Sequence, residues 1–149
     1  MAKLSMMVWL MPARIICAAP SYLARHGEPA TPAELMRHNC LVHHNQHRPM
    51  NEWRFESAAD TQTIEVAGSF TANGIESLRQ AAIAGVGILR ASSFVVNDAI
   101  RSGRLVPILK GYMVQSDIPI FALYPSNRHL SPKIRAFIDY LDGRLSQEG

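Results

Sequence analysis

Two cysteines in 149 residues, no block of like charge, and no apolar run near the length of a membrane span set the first limits on this chain. Cys17 and Cys40 sit inside the apolar stretches "RIICAAP" and "HNCLVHH". That placement reads as buried, reduced thiols rather than a disulfide staple, and it points to the cytoplasm. The opening "MAKLSMMVWLM" is stopped by Pro12 and Arg14. It is too short to cross a bilayer and no small-residue cleavage site follows it, so it reads as an edge strand or an unpacked start rather than an export signal. Net charge is +3 with a pI near 9.1, yet Lys and Arg are scattered, which leaves no nucleic-acid footprint. Repeats and low-complexity tracts are missing too. What is present is an ordinary globular balance, 48% hydrophobic and 18% charged, long enough to bury a core.

Strand and helix signals alternate along the chain. "RIICAA" is a compact apolar run, and "PSYLARHG" opens on Pro20 and closes on Gly27 as a short helix does. In "TPAELMRHN", Thr31, Pro32 and Glu34 make a cap, a first-turn proline and a capping-box acid. "EWRFE" and "TIEVAGSF" alternate in the β manner across the short loop "SAADTQ". "NGIESLRQAAIAG" predicts a helix capped by Asn73, with Ile75, Leu78, Ala82 and Ile83 as its apolar stripe and Gly85 at its end. Strands are expected near residues 14–19, 40–44, 63–69, 87–90, 105–109 and 119–124, and helices near 74–84, 93–101 and 132–144. Such alternation argues for α/β layers with largely parallel pairing.

Catalytic chemistry finds little support. His43, His44 and His47 in "HHNQH" lack acidic or thiolate company, because strand alternation turns Cys40 away from His43. They read as a polar or ligand-contacting loop, with no metal. Ser69 in "AGSFTAN" lacks the second glycine of a nucleophile elbow. "GVG" at Gly85–Gly87 precedes a strand and lacks the last glycine of a dinucleotide fingerprint, so backbone packing accounts for it. Thr71 and Asn73 bring a hydroxyl and an amide to a helix start, whose positive end favours a carboxylate, although plain capping by Asn73 explains the same residues. The profile is that of a binding module without cofactor.

"RIICAAPSYLARHGEPATPAELMRHNCLVH", the Trp53-x-Phe55 strand, "VAGSFTANGIESLRQAAIAGVGI", "GRLVPIL" and "LYPSNRHLSPKIRAFIDYL", in that order, resemble the carboxy-terminal part of the effector-binding domain of LysR-type transcriptional regulators. The resemblance covers about Leu10 to Leu141, leaving residues 1–9 as a non-matching segment and 10–149 as a partial effector domain. It implies a periplasmic-binding-protein-like (type 2) α/β fold in which two subdomains clamp a small molecule. Arg14 to about Leu105 would form the second subdomain, and "DIPIFALYP" with the last helix would return to the first. It also implies that His43, His44, Asn45, Thr71 and Asn73 face a small-molecule effector, such as a carboxylate or amino acid. Full-length members begin with a winged helix-turn-helix that is not visible before Leu10, so a fragment is expected, with DNA contacted only through that domain. A homo-oligomer and no membrane association are implied as well. A stand-alone solute-binding protein and, less favoured, a small α/β enzyme are the alternatives.

Overall fold

The structure, a computed structural model, describes residues 4–10, 12–114, 120–125 and 131–145. In chain order its elements are β1 (Leu4–Leu10), β2 (Arg14–Ala18), α1 (Pro20–His26), a 3-10 helix (Pro32–Arg37), β3 (Cys40–His43), β4 (Glu52–Glu56) and β5 (Thr61–Glu65). These are followed by β6 (Thr71–Ala72), α2 (Ile75–Ile83), β7 (Ile88–Ser92), α3 (Ser93–Arg101), β8 (Val106–Ile108), β9 (Met113–Val114), β10 (Ile120–Pro125) and α4 (Pro132–Leu145). The chain divides into two compact units, Ala13–Gln115 and a smaller one made of Met1–Pro12 with Ser116–Gly149.

The larger unit is built on one mixed sheet with strand order β5-β4-β9-β2-β7-β3-β6, and β8 also pairs with β2. Among the described residues, only β3 runs parallel to its neighbours, β6 on one side and β7 on the other, and the remaining pairings are antiparallel. The expectation of largely parallel pairing is therefore corrected. Joins as short as residues 57–60 between β4 and β5 turn the chain straight back, because a parallel crossover needs a dozen or more residues.

Side chains alternate between two cores, as a pleated strand with both faces covered requires. Ile16 and Ala18 of β2, Cys40 and Val42 of β3, and Ile88 of β7 join Tyr22, Leu35, Trp53 and Phe55 on one face. Cys17, Leu41, Leu89 and Ala91 point the other way, onto Leu78 and Ala82 of α2 and Val96 and Ala99 of α3. Arg79 ties the two helices of that second layer: it reaches Glu76 at 2.9 Å and Asp98 at 2.6 Å, and Arg104 joins Asp98 at 3.2 Å. Arg25 of α1 donates to the Gly85 carbonyl at 2.8 Å, just beyond the end of α2.

Two predicted caps are corrected. α2 starts at Ile75 with Gly74 at the N-cap and no side-chain cap bond, so Asn73 lies one residue outside the cap position. The Thr31 segment forms a 3-10 helix, again without a side-chain cap bond, and Glu34 accepts instead from the Ala30 N–H at 2.9 Å. The predicted strand 63–69 ends at Glu65, since the loop after it is drawn onto Asn39.

In the smaller unit β1 and β10 pair antiparallel, from Leu4 opposite Pro125 to Leu10 opposite Ile120, and α4 lies against β1. Ile138 of α4 is buried, whereas Ile134, Phe137 and Tyr140, with Phe121 and Leu123 of β10, are exposed. Residue 119, the first of the strand expected near 119–124, lies outside the described residues.

Candidate ligand-binding site

β6, β3 and β7 lie side by side and run the same way. Their carboxyl ends therefore open on one edge of the sheet, where His43 finishes β3, Ala72 leads through Asn73 and Gly74 into α2, and Ser92 leads directly into α3. Such an edge is where α/β sheets bind ligands, because helix N-termini and strand-end loops meet there.

His43 and Asn73 are brought together. His43 Nε2 lies 3.0 Å from the Asn73 carbonyl oxygen. A carbonyl only accepts, so Nε2 carries the proton and Nδ1 is left as an acceptor in the neutral ring. This bond joins the end of β3 to the short link between β6 and α2, and the His44 N–H donates to the Ala72 carbonyl at 2.8 Å beside it. Thr71 and Asn73 are exposed, and α2 opens with no side chain on its first N–H groups. A hydroxyl, an amide and the positive end of a helix dipole thus share one edge, an arrangement suited to an anionic or polar group.

His44 and Asn45 shape the adjoining loop. His44 pairs with Pro49, and Asn45 Oδ1 accepts from the His47 and Arg48 N–H groups, both at 2.9 Å. The Asn45 amide reaches Met50 Sδ at 3.5 Å. Asn45 is thus engaged in holding its own turn, as Asx turns do. Among the described residues no group of three or more His, Cys, Asp or Glu gathers at metal-binding distance. A concavity of about 220 Å³ opens elsewhere in the larger unit, along Arg14, Ile16, Ile108, Lys110 and Tyr112; none of the five predicted residues is among its described lining.

The residue that the sequence did not single out is Asn39. Its amide donates to Ser69 Oγ at 3.0 Å and to the Val86 carbonyl at 2.8 Å, while its Oδ1 accepts from the Ser69 N–H at 2.7 Å. Its carbonyl accepts from the Ile88 N–H at 2.9 Å. The glycines around it follow from this crowding: a Cβ at Gly68 would run into the Cys40 carbonyl, and one at Gly87 into that of Asn39. Ser69 is thereby a structural partner of Asn39. "AGS" and "GVG" were the visible traces of the clamp, but nothing in the local pattern connects either to an Asn 30 and 47 residues away.

The LysR substrate binding domain family matches residues 4–146. The chain belongs to that family. The match begins at Leu4 and so includes residues 4–9, which the resemblance read from the sequence left out. Family relatives include the uncharacterized HTH-type transcriptional regulator YhjC of Escherichia coli, 32% identical over 133 residues, or 88% of this chain and 44% of that protein. The HTH-type transcriptional regulator CrgA of Neisseria meningitidis is 32% identical over 126 residues, covering 85% of this chain and 42% of CrgA. The chain spans less than half the length of these curated relatives. Among solved structures, the Vibrio cholerae virulence activator AphB superposes with a TM-score of 0.82 at 25% identity, over 97% of this chain and 49% of AphB. The CrgA regulatory domain does so with a TM-score of 0.78 at 31% identity, over 95% of this chain and 69% of that domain. The fold is thus the periplasmic-binding-protein-like type 2 fold of LysR regulatory domains.

Proposed function

We propose that this LysR-family chain is the small-molecule-sensing part of a DNA-binding transcriptional regulator, and that His43, His44, Asn45, Thr71 and Asn73 form the effector-facing edge of its larger unit. The observation that carries the reading is the meeting of His43, Asn73 and the uncapped start of α2 at the carboxyl ends of the parallel strands β6, β3 and β7. Asn73, Thr71 and the first N–H groups of α2 bind the ligand's polar head, a carboxylate or amino acid, while His43 and Asn45 hold the two loops in place. The module binds and does no chemistry of its own, works in the cytoplasm as a homo-oligomer, and reaches DNA through a winged helix-turn-helix of the whole regulator. No helix of the described residues is long and apolar enough to cross a membrane.

The test is calorimetry against a panel of small carboxylates and amino acids, with Thr71→Val and Asn73→Ala alongside the parent chain. Each substitution removes a bond to a charged group worth about 1.5–3 kcal/mol, so each weakens binding by about tenfold or more. A ligand whose affinity ignores both substitutions would place the site elsewhere.

A further inference from the structure

Tyr22 of α1 is 1% exposed, and a buried phenol needs a partner for its oxygen and another for its proton. The Asn39 N–H donates to that oxygen at 3.1 Å. The hydroxyl proton therefore goes to the other neighbour, His38 Nδ1, at 2.9 Å. Only a neutral imidazole, protonated on Nε2, offers Nδ1 as an acceptor. On the same phenol, the ring of His26 packs with its centroid 4.5 Å from that of Tyr22 at an interplanar angle of 30°, and the His38 centroid is 5.8 Å away.

We infer that Tyr22, His38 and Asn39 form an acid-released latch between α1 and the root of β3. Protonating His38 sets a second donor against the Tyr22 oxygen and leaves the buried hydroxyl proton without its acceptor. His26, packed on the same ring, opposes a charge on His38. Asn39 extends the effect, because its backbone N–H is one arm of the latch and its side chain clamps Ser69 and Val86. β3 runs from this point to His43, so release loosens the strand that ends at the candidate ligand edge. The latch itself rests on the Tyr22 contacts and not on any ligand assignment.

The surrounding groups agree with this sense. Burial, and then the nearby His26, hold His38 below its ordinary 6.5, and Glu34 of the 3-10 helix acts in the opposite direction. Burial also raises the Tyr22 hydroxyl, with Cys40 of β3 adding to the rise, so the phenol keeps its proton. β5, packed on the 3-10 helix, brings Glu65, whose carboxylate accepts from the Asn51 amide at 3.3 Å. Because the folded His38 binds protons less readily than the unfolded one, the latch is fully made above about pH 6.5 and lost as pH falls from there through the folded value.

Native-state hydrogen exchange at the Asn39 amide, corrected for intrinsic rate between pH 7.5 and 5.5, tests this in the parent chain and in His38→Gln, whose carbonyl accepts from Tyr22 but does not titrate. Protection in the parent chain falls by about tenfold for each pH unit by which folding lowers the His38 pKa, and His38→Gln lacks that fall. Equal pH dependence in the two proteins would overturn the latch. A nitrogen-15 titration of the parent chain's imidazoles stands should the variant not fold: His38 shows the Nε2–H form with a midpoint below 6.5, and a midpoint at or above that value would sink the proposal.

Discussion

At the scale of single residues, the chain is held by groups whose partners are distant in sequence, and Asn39 is the clearest case. Its side chain makes three bonds to two separate segments. Asn39→Ala removes the side-chain partner of the Val86 carbonyl and the Ser69 N–H, which then turn to water, and lowers stability by about 0.5–1.5 kcal/mol, the net worth of such bonds. Urea unfolding measures it, with Gly87→Ala as a companion that damages the same joint sterically, by forcing a Cβ into the Asn39 carbonyl. The thiols offer an independent check. Cys17 and Cys40 are fully buried and free, and burial pushes each pKa up to about 12. Attack requires the thiolate, so neither cysteine reacts with a disulfide reagent at pH 8 until denaturant is added, when both titrate. Rapid labelling of the native chain would contradict their placement in the two cores.

At the scale of elements, periodicity carried far because both faces of the sheet are covered by amphipathic pieces. α3 spans Ser93–Arg101, matching the helix expected near 93–101, and β2, β3 and β8 fall within a residue or two of their expected limits. What periodicity could not supply was strand direction and capping. Direction is set by which strand becomes the neighbour, and β2 meets β7 across more than seventy residues of chain. Capping is decided within one peptide, and Gly74 took the place that Asn73 was expected to hold. The candidate site was half legible for the same reason: Thr71 and Asn73 stand beside a helix signal, whereas the His43 to Asn73 bond needs β3 and β6 paired in parallel. Energetics separate the helices' two faces. Leu78→Ala on the buried side of α2 costs about 2–5 kcal/mol, while Met36→Ala, at a side chain 72% exposed on the 3-10 helix, stays within about 0.5 kcal/mol; thermal or urea melts of the pair read the contrast.

The α2 to α3 tie has its own pH signature. The Arg79 hydrogen bond lowers the Asp98 carboxyl below its usual 3.8, with Arg104 adding to the effect, and Glu76 is lowered by its Gln80 and Arg79 contacts. For a depressed carboxylate the contribution is complete above the unfolded value and disappears as pH falls through the folded one. Asp98→Asn therefore weakens the chain at neutral pH and flattens the acid limb below about pH 4, where the parent loses the pair by protonation. Unfolding midpoints of the two proteins converge in strong acid; a gap that persists there would mean that Asp98 acts through something other than its charge.

On the scale of the whole molecule, the distribution of charge decides what the isolated chain does with DNA. Sequence-specific binding needs an element that enters a groove and side chains free to reach base edges, and positive charge without that gives only salt-sensitive attraction to phosphates. The net charge is +3, but several of its cations are engaged in the fold. Arg79 is closed between Glu76 and Asp98, Arg104 leans on Asp98, and Arg25 is drawn onto the Gly85 carbonyl. α2 and α3 spend their apolar faces on the second core, leaving neither one free to dock as a recognition helix. The 149-residue chain alone accordingly binds duplexes weakly, with equal affinity for promoter and unrelated sequence, and the binding collapses as salt rises from 50 to 200 mM because it rests on counterion release. Fluorescence anisotropy with a labelled promoter duplex and a scrambled control measures both properties at once. Preference for the promoter that survives 200 mM salt would show that base readout resides in this chain itself, and would overturn the division between a sensing domain and a separate DNA-binding one.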